Sequence, residues 1–87
     1  MNEIYVVIME GEVDEEHTTD VHGYFTDEAS AIKYMLKECQ SCYDDWRNGV
    51  HTDVSMDVNG KNCEVVEGVS GDYRNWEVVK LTEKKGE

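Results

Sequence analysis

Hydrophobic and polar positions divide the chain into one helical segment and several strand segments. Glu3 to Glu10 is a β-branched and aromatic block, which predicts a strand in a central position of the sheet. The polar stretch from Gly11 to Thr19 predicts an exposed loop or hairpin tip, and Asp20 to Phe25 predicts a second, short strand. Gly23 within that strand indicates a bulge or a close backbone approach.

The next segment has the spacing of an amphipathic helix. Thr26 is the predicted N-cap, with Asp27 and Glu28 in the first turn, where the helix dipole favours negative charge. Asn48-Gly49 predicts a left-handed stop. Apolar spacings of three and four residues predict one buried face. That face consists of Ala29, Ile32, Leu36, Cys39, Tyr43 and Trp46.

Strict alternation then predicts a hairpin. Val54, Met56 and Val58 alternate with polar residues, and Asn59-Gly60 predicts a two-residue type I′ turn. Folding about this turn directs the apolar side chains of both arms to one face. The predicted cross-strand pairs are Met56 with Cys63 and Val54 with Val65.

After a predicted loop from Gly68 to Asn75, Trp76 to Thr82 forms the last strand. The fold class is α+β: a four- to five-stranded antiparallel sheet with one long amphipathic helix packed on one face, in the order β-β-α-β-β-β. At 87 residues the chain is expected to be a single domain over 1–87, with a frayed tail over 83–87.

The first and last strands are apolar on both sides, with Val78 on one face and Val79 and Leu81 on the other. One helix covers only one face of a sheet, so the second face needs another cover. A curled sheet, the 68–75 loop with Tyr73, or a second copy of the chain in a homodimer would each supply it.

Charge changes this picture most. The chain has 20 acidic and 8 basic residues, a formal net charge of −12, and no Lys or Arg before Lys33. A concentrated acidic surface favours a strongly basic partner. The predicted partner-binding residues are Glu10, Glu12, Asp14, Glu15, Glu16, Asp20, Asp27 and Glu28. The next candidates are Asp53, Asp57, Glu64 and Glu67.

The chain lacks the residue patterns of common catalytic sites. It has no nucleophile elbow, phosphate loop, dinucleotide glycine pattern or EF-hand spacing. His17 and His22 lie near acids, which is typical of solvated histidines as well as of catalytic ones. We therefore expect no enzymatic activity and no cofactor. Sustained basic patches are absent, so direct nucleic-acid binding is not expected either.

The cysteines leave two alternatives open. Cys39-Gln-Ser-Cys42 is a C-x-x-C motif, and Cys63 with His51, His22 or His17 could complete a tetrahedral zinc set. Three cysteines without secretory context instead favour reduced, packed thiols in a cytoplasm. The longest apolar run, Ile4 to Met9, is far shorter than the roughly 20 residues of a membrane-spanning helix, so no membrane association is expected.

A resemblance covers about residues 3 to 38. Ile4-Tyr-Val-Val, then His22-Gly-Tyr-Phe-Thr-Asp-Glu-Ala29 and Ala31-Ile-Lys-Tyr, resemble small acidic proteins common in bacteriophage genomes. Small size and acidity are also similar to phage anti-defence proteins, including anti-CRISPR and DNA-mimic inhibitors. The resemblance implies a phage-encoded inhibitor that acts in the host cytoplasm, and it carries no functional residues.

The expected function is therefore a non-enzymatic acidic inhibitor. It would occlude the basic nucleic-acid-binding surface of a host protein, such as a nuclease or another defence component. The alternative is a small cytoplasmic interaction or regulatory domain that binds zinc and whose acidity is incidental.

Overall fold

The computed structural model describes residues 3–49 and 53–82, which form a five-stranded antiparallel sheet and one helix. The elements are β1 (Glu3–Val13), β2 (Glu16–Phe25), α1 (Glu28–Arg47), β3 (Val54–Asn59), β4 (Asn62–Glu67) and β5 (Tyr73–Thr82). The strand order is β2-β1-β5-β4-β3. The predicted α+β class and the element order are confirmed. The predicted frayed tail, 83–87, lies outside the described residues.

The segment predicted as an exposed loop or hairpin tip, Gly11 to Thr19, contains the tip of the first hairpin, but most of it is strand instead of loop. Only Asp14 and Glu15 turn the chain. Their φ angles of 53° and 67° are the left-handed pair of a type I′ turn. Gly11 lies within β1 because its backbone packs closely on β5: a β-carbon there would lie 2.5 Å from the Tyr73 carbonyl oxygen. Pairing of β1 with both neighbours thus keeps this polar segment extended.

The bulge indicated by Gly23 is confirmed. Val7 pairs with Gly23 but Ile8 pairs with Val21, so the ladder between β1 and β2 skips His22. A β-carbon at position 23 would lie 2.9 Å from the ring of Phe25, so glycine avoids a clash there. The extra residue reverses the facing of the side chains along β2.

Helix α1 begins one residue later than predicted. Its N-cap is Asp27 instead of Thr26, and the Asp27 carboxylate accepts hydrogen bonds from the Ser30 amide and hydroxyl, each at 2.9 Å. The helix ends at Arg47, as the sequence indicates. The predicted left-handed stop is wrong, because Asn48 has a φ of −88° and continues the right-handed conformation.

The buried face of α1 is rotated relative to the predicted one. The buried residues are Ala31, Met35, Cys39 and Cys42. Ile32, Tyr43 and Trp46 are only partly buried beside them, and Ala29 and Leu36 are exposed. Apolar residues lie on adjacent positions of this helix, so several faces satisfy the helical spacing. The face with the smaller side chains contacts the sheet.

A disulfide joins the helix to the sheet within the core. Cys39 of α1 is bonded to Cys63 of β4, and Cys42 is a free, buried thiol. The expectation of three reduced thiols is therefore wrong for Cys39 and Cys63. The sequence correctly predicted that both side chains face inward. Their sulfur atoms meet in the core between α1 and the sheet.

The second hairpin has the predicted facing but not the predicted register. Met56 pairs with Val65 and Val58 with Cys63, whereas Met56 was expected opposite Cys63. The turn consists of Gly60 and Lys61, one residue beyond the predicted Asn59-Gly60. Gly60 has a φ of 62° and supplies the positive angle at the first turn position. Each residue of β3 pairs two positions away from its predicted partner on β4. Because side chains alternate with a period of two, the same side chains still face the core.

Candidate functional site

The sheet has one face against α1 and a second face that no described element covers. Val7, Val65 and Val78 pack with Met35 of α1 in the core. Successive side chains along a strand point to opposite faces, so the residues beside them point away from α1. Directly paired residues of antiparallel strands share a face, and the register therefore defines this second face across all five strands. We call it the open face.

One half of the open face is acidic. Asn75 of β5 pairs with Glu10 on one side and with Glu64 on the other, and Glu64 pairs with Asp57. Neighbouring strands are about 4.8 Å apart, so the backbones at Glu10 and Glu64 are about 10 Å apart and those at Glu64 and Asp57 about 5 Å apart. The acidic half consists of Glu10, Glu12, Asp57, Glu64 and Glu77. Within the described strands, the open face carries no Lys or Arg.

The cations of these strands and turns lie elsewhere. Lys80 contacts Glu3 at 3.1 Å and Lys61 contacts Glu28 at 3.0 Å. Lys80 pairs with Tyr5, and Arg74 pairs with Gly11, on the side of the sheet that faces α1. The carboxylates of the acidic half therefore have no lysine or arginine beside them on their own face of the described strands.

The pKa of Tyr73 is affected by the charges of the acidic half. Tyr73 lies on the open face, paired with Glu12 and Val66. Partial burial raises the pKa of Tyr73, and the charges of Glu10, Glu12 and Glu64 raise it further. Three separate carboxylates thus act on one phenol. Tyr73 belongs to β5 instead of the predicted 68–75 loop, and it lies in the acidic half, so it does not cover the apolar strand residues.

The other half of the open face is apolar. Ile4 pairs with Leu81, Val6 with Val79 and Tyr24, and Ile8 with Val21. The apolar half consists of Ile4, Val6, Ile8, Val21, Tyr24, Val79 and Leu81. Val6 at its centre is buried, whereas Tyr24 is 71% exposed, Leu81 51% and Val21 46%. The predicted facing of Val78 against Val79 and Leu81 is confirmed.

The eight predicted partner-binding residues do not share one surface. Glu10 and Glu12 lie in the acidic half, Asp14 and Glu15 form the hairpin turn, and Glu16 and Asp20 lie on the opposite side of β2. Asp27 caps α1 and Glu28 pairs with Lys61, so these two carboxylates stabilise the fold. The role of all eight residues in partner binding stays a prediction.

The structure adds Glu77 to the acids considered and removes Glu67. Glu67 is 2% exposed and accepts hydrogen bonds at 2.7–3.1 Å from the amides of Ser70, Val69 and Asp53. The Ser70 amide is the main cause that lowers the pKa of Glu67, to about 2, while burial opposes the shift. Alternation along β3 and β4 already indicated that Asp57 and Glu64 face away from the core. Their position beside Glu10 depends on the strand order, which has no local signal.

The thiols no longer provide the alternative zinc set. Cys39 and Cys63 are bonded to each other, and burial raises the pKa of Cys42 to about 11 despite the nearby Arg74. A buried thiol with a raised pKa is a poor metal ligand, because the thiolate is the ligating form. His51 lies outside the described residues. Among the residues the structure describes, no group of three or more His, Cys, Asp or Glu could hold a metal ion.

The two histidines that the structure describes, His17 and His22, lie beside carboxylates. His22 Nδ1 lies 2.9 Å from Glu38 Oε1, and His22 Nε2 lies 3.8 Å from Asp20 Oδ2. The contact between His22 and Glu38 joins the bulge of β2 to α1. His17 Nε2 lies 3.4 Å from Glu10 Oε2 at the rim of the acidic half.

None of the described helical residues forms a span of the length and hydropathy that crossing a membrane requires. Comparison of the chain with protein-family models, with curated proteins and with solved structures gave no match.

Proposed function

We propose that the chain is a non-enzymatic acidic inhibitor that binds, and so occludes, the basic nucleic-acid-binding surface of another protein. A nuclease or another defence component is the partner class that this chemistry suits, and a phage anti-defence role is the setting that the resemblance implies. The observation that carries the proposal is the acidic half: five carboxylates and no Lys or Arg on the open face of the described strands.

Three physical arguments support this function. The acidic half lies on regular strands, so the backbone positions that carry its carboxylates are fixed before binding, which lowers the entropic cost of association. A net charge of −12 on 87 residues exceeds what solubility needs and speeds encounter with a basic surface. Occlusion also requires complementarity alone, without a nucleophile or a bound cofactor.

The test uses affinity capture with elution by DNA. The immobilised chain is exposed to lysate at low salt, and bound protein is released either by duplex DNA or by sodium chloride of equal ionic strength. We expect DNA to elute at least one basic protein more efficiently than the salt does, because DNA competes for the same surface. The variant Glu12→Lys/Glu64→Lys should lose this capture.

The matched control is Asp44→Lys/Asp45→Lys on the exposed end of α1. It changes the net charge by the same amount and adds cations where the helix dipole favours them. Equal loss in both variants would indicate that only net charge matters. Captured proteins that DNA fails to displace would contradict occlusion of a nucleic-acid site.

A further inference from the structure

The open face combines two kinds of surface that a purely electrostatic mimic of nucleic acid would not need. A phosphate backbone binds basic proteins chiefly through charge. Here the acidic half continues without a break into the apolar half along β1, where Ile4, Val6 and Ile8 are followed by Glu10 and Glu12. Four of the large apolar side chains exposed in the described residues belong to the apolar half: Ile4, Val21, Tyr24 and Leu81.

We infer that the apolar half is the docking site for an apolar side chain of the basic partner, presented beside that partner's Lys and Arg cluster. The inference rests on the proposed function and deepens it. Charge complementarity defines the occupant, because a segment seated on the apolar half has Glu77, which pairs with Ile8, and Glu10 at its border, and the other carboxylates of the acidic half lie beyond them on the same face. Interfaces are built in this way, with a buried aromatic or aliphatic anchor and charged groups around it.

The register gives the spacing between the two halves: Glu77 lies at the border, paired with Ile8, and the carboxylates of β1 lie further along the strand. From Val6, at the centre of the apolar half, to Glu10 is four residues along β1, or about 13 Å at about 3.3 Å per residue. The anchor and the basic cluster of the partner should therefore be separated by about the length of four extended residues.

A second copy of the chain fits this surface less well. Each copy has a formal net charge of −12, and two open faces in contact would place two acidic halves in one assembly. Repulsion between like charges opposes that arrangement. A basic partner has the opposite effect, since its charge is attracted to the same carboxylates.

The two halves should contribute differently to binding. Charges at the rim of an interface act mainly on the association rate and its salt dependence, whereas a desolvated anchor acts on the dissociation rate. Binding that depended on the acidic half alone would therefore weaken steeply with salt. The contribution of the apolar half should persist when salt screens the charges.

The experiment uses two synthetic peptides. Both carry a Lys/Arg cluster followed by four extended residues, and then either a Trp-Leu pair or a Ser-Gly pair. Dissociation constants are measured by fluorescence anisotropy at about 50 mM and about 300 mM sodium chloride, where the Debye length shortens roughly twofold. We expect the Trp-Leu peptide to bind about tenfold more tightly, with the ratio kept at the higher salt concentration.

The variant Tyr24→Ser/Leu81→Ser should abolish this difference between the peptides. Its control, Val58→Ser/Val69→Ser, removes two apolar side chains of similar exposure, 48% and 76%, outside the apolar half, and should keep the difference. Circular dichroism verifies folding. If the double variant unfolds, Tyr24→Ser alone is used, since that side chain is the most exposed of the apolar half.

The outcomes separate the two proposals. Equal affinity of the two peptides, falling with salt, would overturn the docking inference and leave the proposed function standing. Absence of binding to both peptides would contradict the proposed function itself. A light-scattering measurement in which the chain is a dimer and Tyr24→Ser/Leu81→Ser is a monomer would assign the apolar half to a second copy and overturn the inference.

Discussion

At the residue scale, the carboxylate of Glu67 organises the chain between β4 and β5. It follows Cys63 and Val65 on the side of the sheet that faces α1, and it accepts hydrogen bonds from the Ser70 and Val69 amides and the Ser70 hydroxyl. A fourth bond, from the Asp53 amide, joins the start of β3 to this turn. These donors account for the buried charge, because a buried carboxylate is tolerated when hydrogen bonds satisfy its oxygen atoms.

We predict that Glu67→Gln lowers the stability of the protein and flattens its dependence on acid. The pKa of Glu67 is lowered from 4.5 to about 2 in the fold. The ionised group therefore contributes stability that is fully present above pH 4.5, its unfolded pKa, and is lost as the pH falls towards 2. Thermal melts between neutral pH and acid should show the largest difference from wild type at pH 7.

Glu64→Gln serves as the control for this change, since Glu64 lies on the same strand and points to the open face. It should leave the acid limb of the stability curve unchanged. If Glu67→Gln has the same acid limb as wild type, the hydrogen-bonded carboxylate is not the source of the acid sensitivity.

Glu67 also illustrates what a sequence leaves undetermined at this scale. Alternation along Cys63, Val65 and Glu67 already places the three side chains on one face, yet the charge suggested an exposed residue. The donors that make burial acceptable are backbone amides of the following turn, and backbone amides have no residue-specific signal. Asp27 is similar: Thr26 and Asp27 both suit an N-cap, and only the geometry of the helix start selects one of them.

At the scale of elements, the Cys39–Cys63 disulfide connects α1 to β4 across 24 residues. Closing a loop of this length restricts the unfolded chain, which stabilises a protein by about 3 kcal/mol. We predict that Cys39→Ala/Cys63→Ala lowers the free energy of unfolding by about that amount. A reducing agent should lower the stability of the wild type similarly and leave the double variant nearly unchanged.

Cys42→Ala is the control, because it removes the free thiol and should keep the sensitivity to reductant. Titration of thiols in denaturant gives an independent measurement: one reactive thiol is expected from three cysteines. Three reactive thiols would restore the expectation of packed, reduced cysteines. Reducing conditions in a cytoplasm disfavour structural disulfides, so the same titration on protein from its native cell also tests the predicted localisation.

The elements themselves were largely predictable, and their ends and registers were not. The spacing of apolar residues identified α1, and Asn59-Gly60 located the second hairpin to within one residue. Spacing alone did not select the buried face of α1, because Met35 and Leu36 are adjacent and both apolar. Burial of Met35 depends on contact with the sheet, which is a tertiary effect.

At the scale of the whole molecule, the strand order β2-β1-β5-β4-β3 creates the open face. It places β5 between β1 and β4, so carboxylates from distant parts of the sequence meet beside Asn75. Pairing between the first and last strands is a long-range contact without a local sequence signature. The alternation within each strand predicted which residues face outward, but it could not indicate that Glu10 and Glu64 would be neighbours.

The same charge that suits a basic partner should destabilise the isolated protein. Its formal net charge is −12, and screening of self-repulsion favours the compact state. The described Lys–Glu ion pairs, Lys61 with Glu28 and Lys80 with Glu3, are partly exposed, and such pairs contribute at most about 1 kcal/mol each. Salt should therefore screen more repulsion than attraction, and so stabilise the fold.

We predict that the melting temperature rises by about 5 °C when sodium chloride is increased from low concentration to about 0.3 M, which corresponds to roughly 1 kcal/mol for a domain of this size. Glu12→Lys/Glu64→Lys should show a weaker salt dependence, because it places cations among the remaining carboxylates of the acidic half. Asp44→Lys/Asp45→Lys, with the same net charge, separates the global effect from the local one: a smaller reduction there identifies the acidic half as the main source of repulsion. A melting temperature that falls with salt in the wild type would show that the ion pairs outweigh the repulsion, and that the carboxylates of the open face cost the isolated fold little.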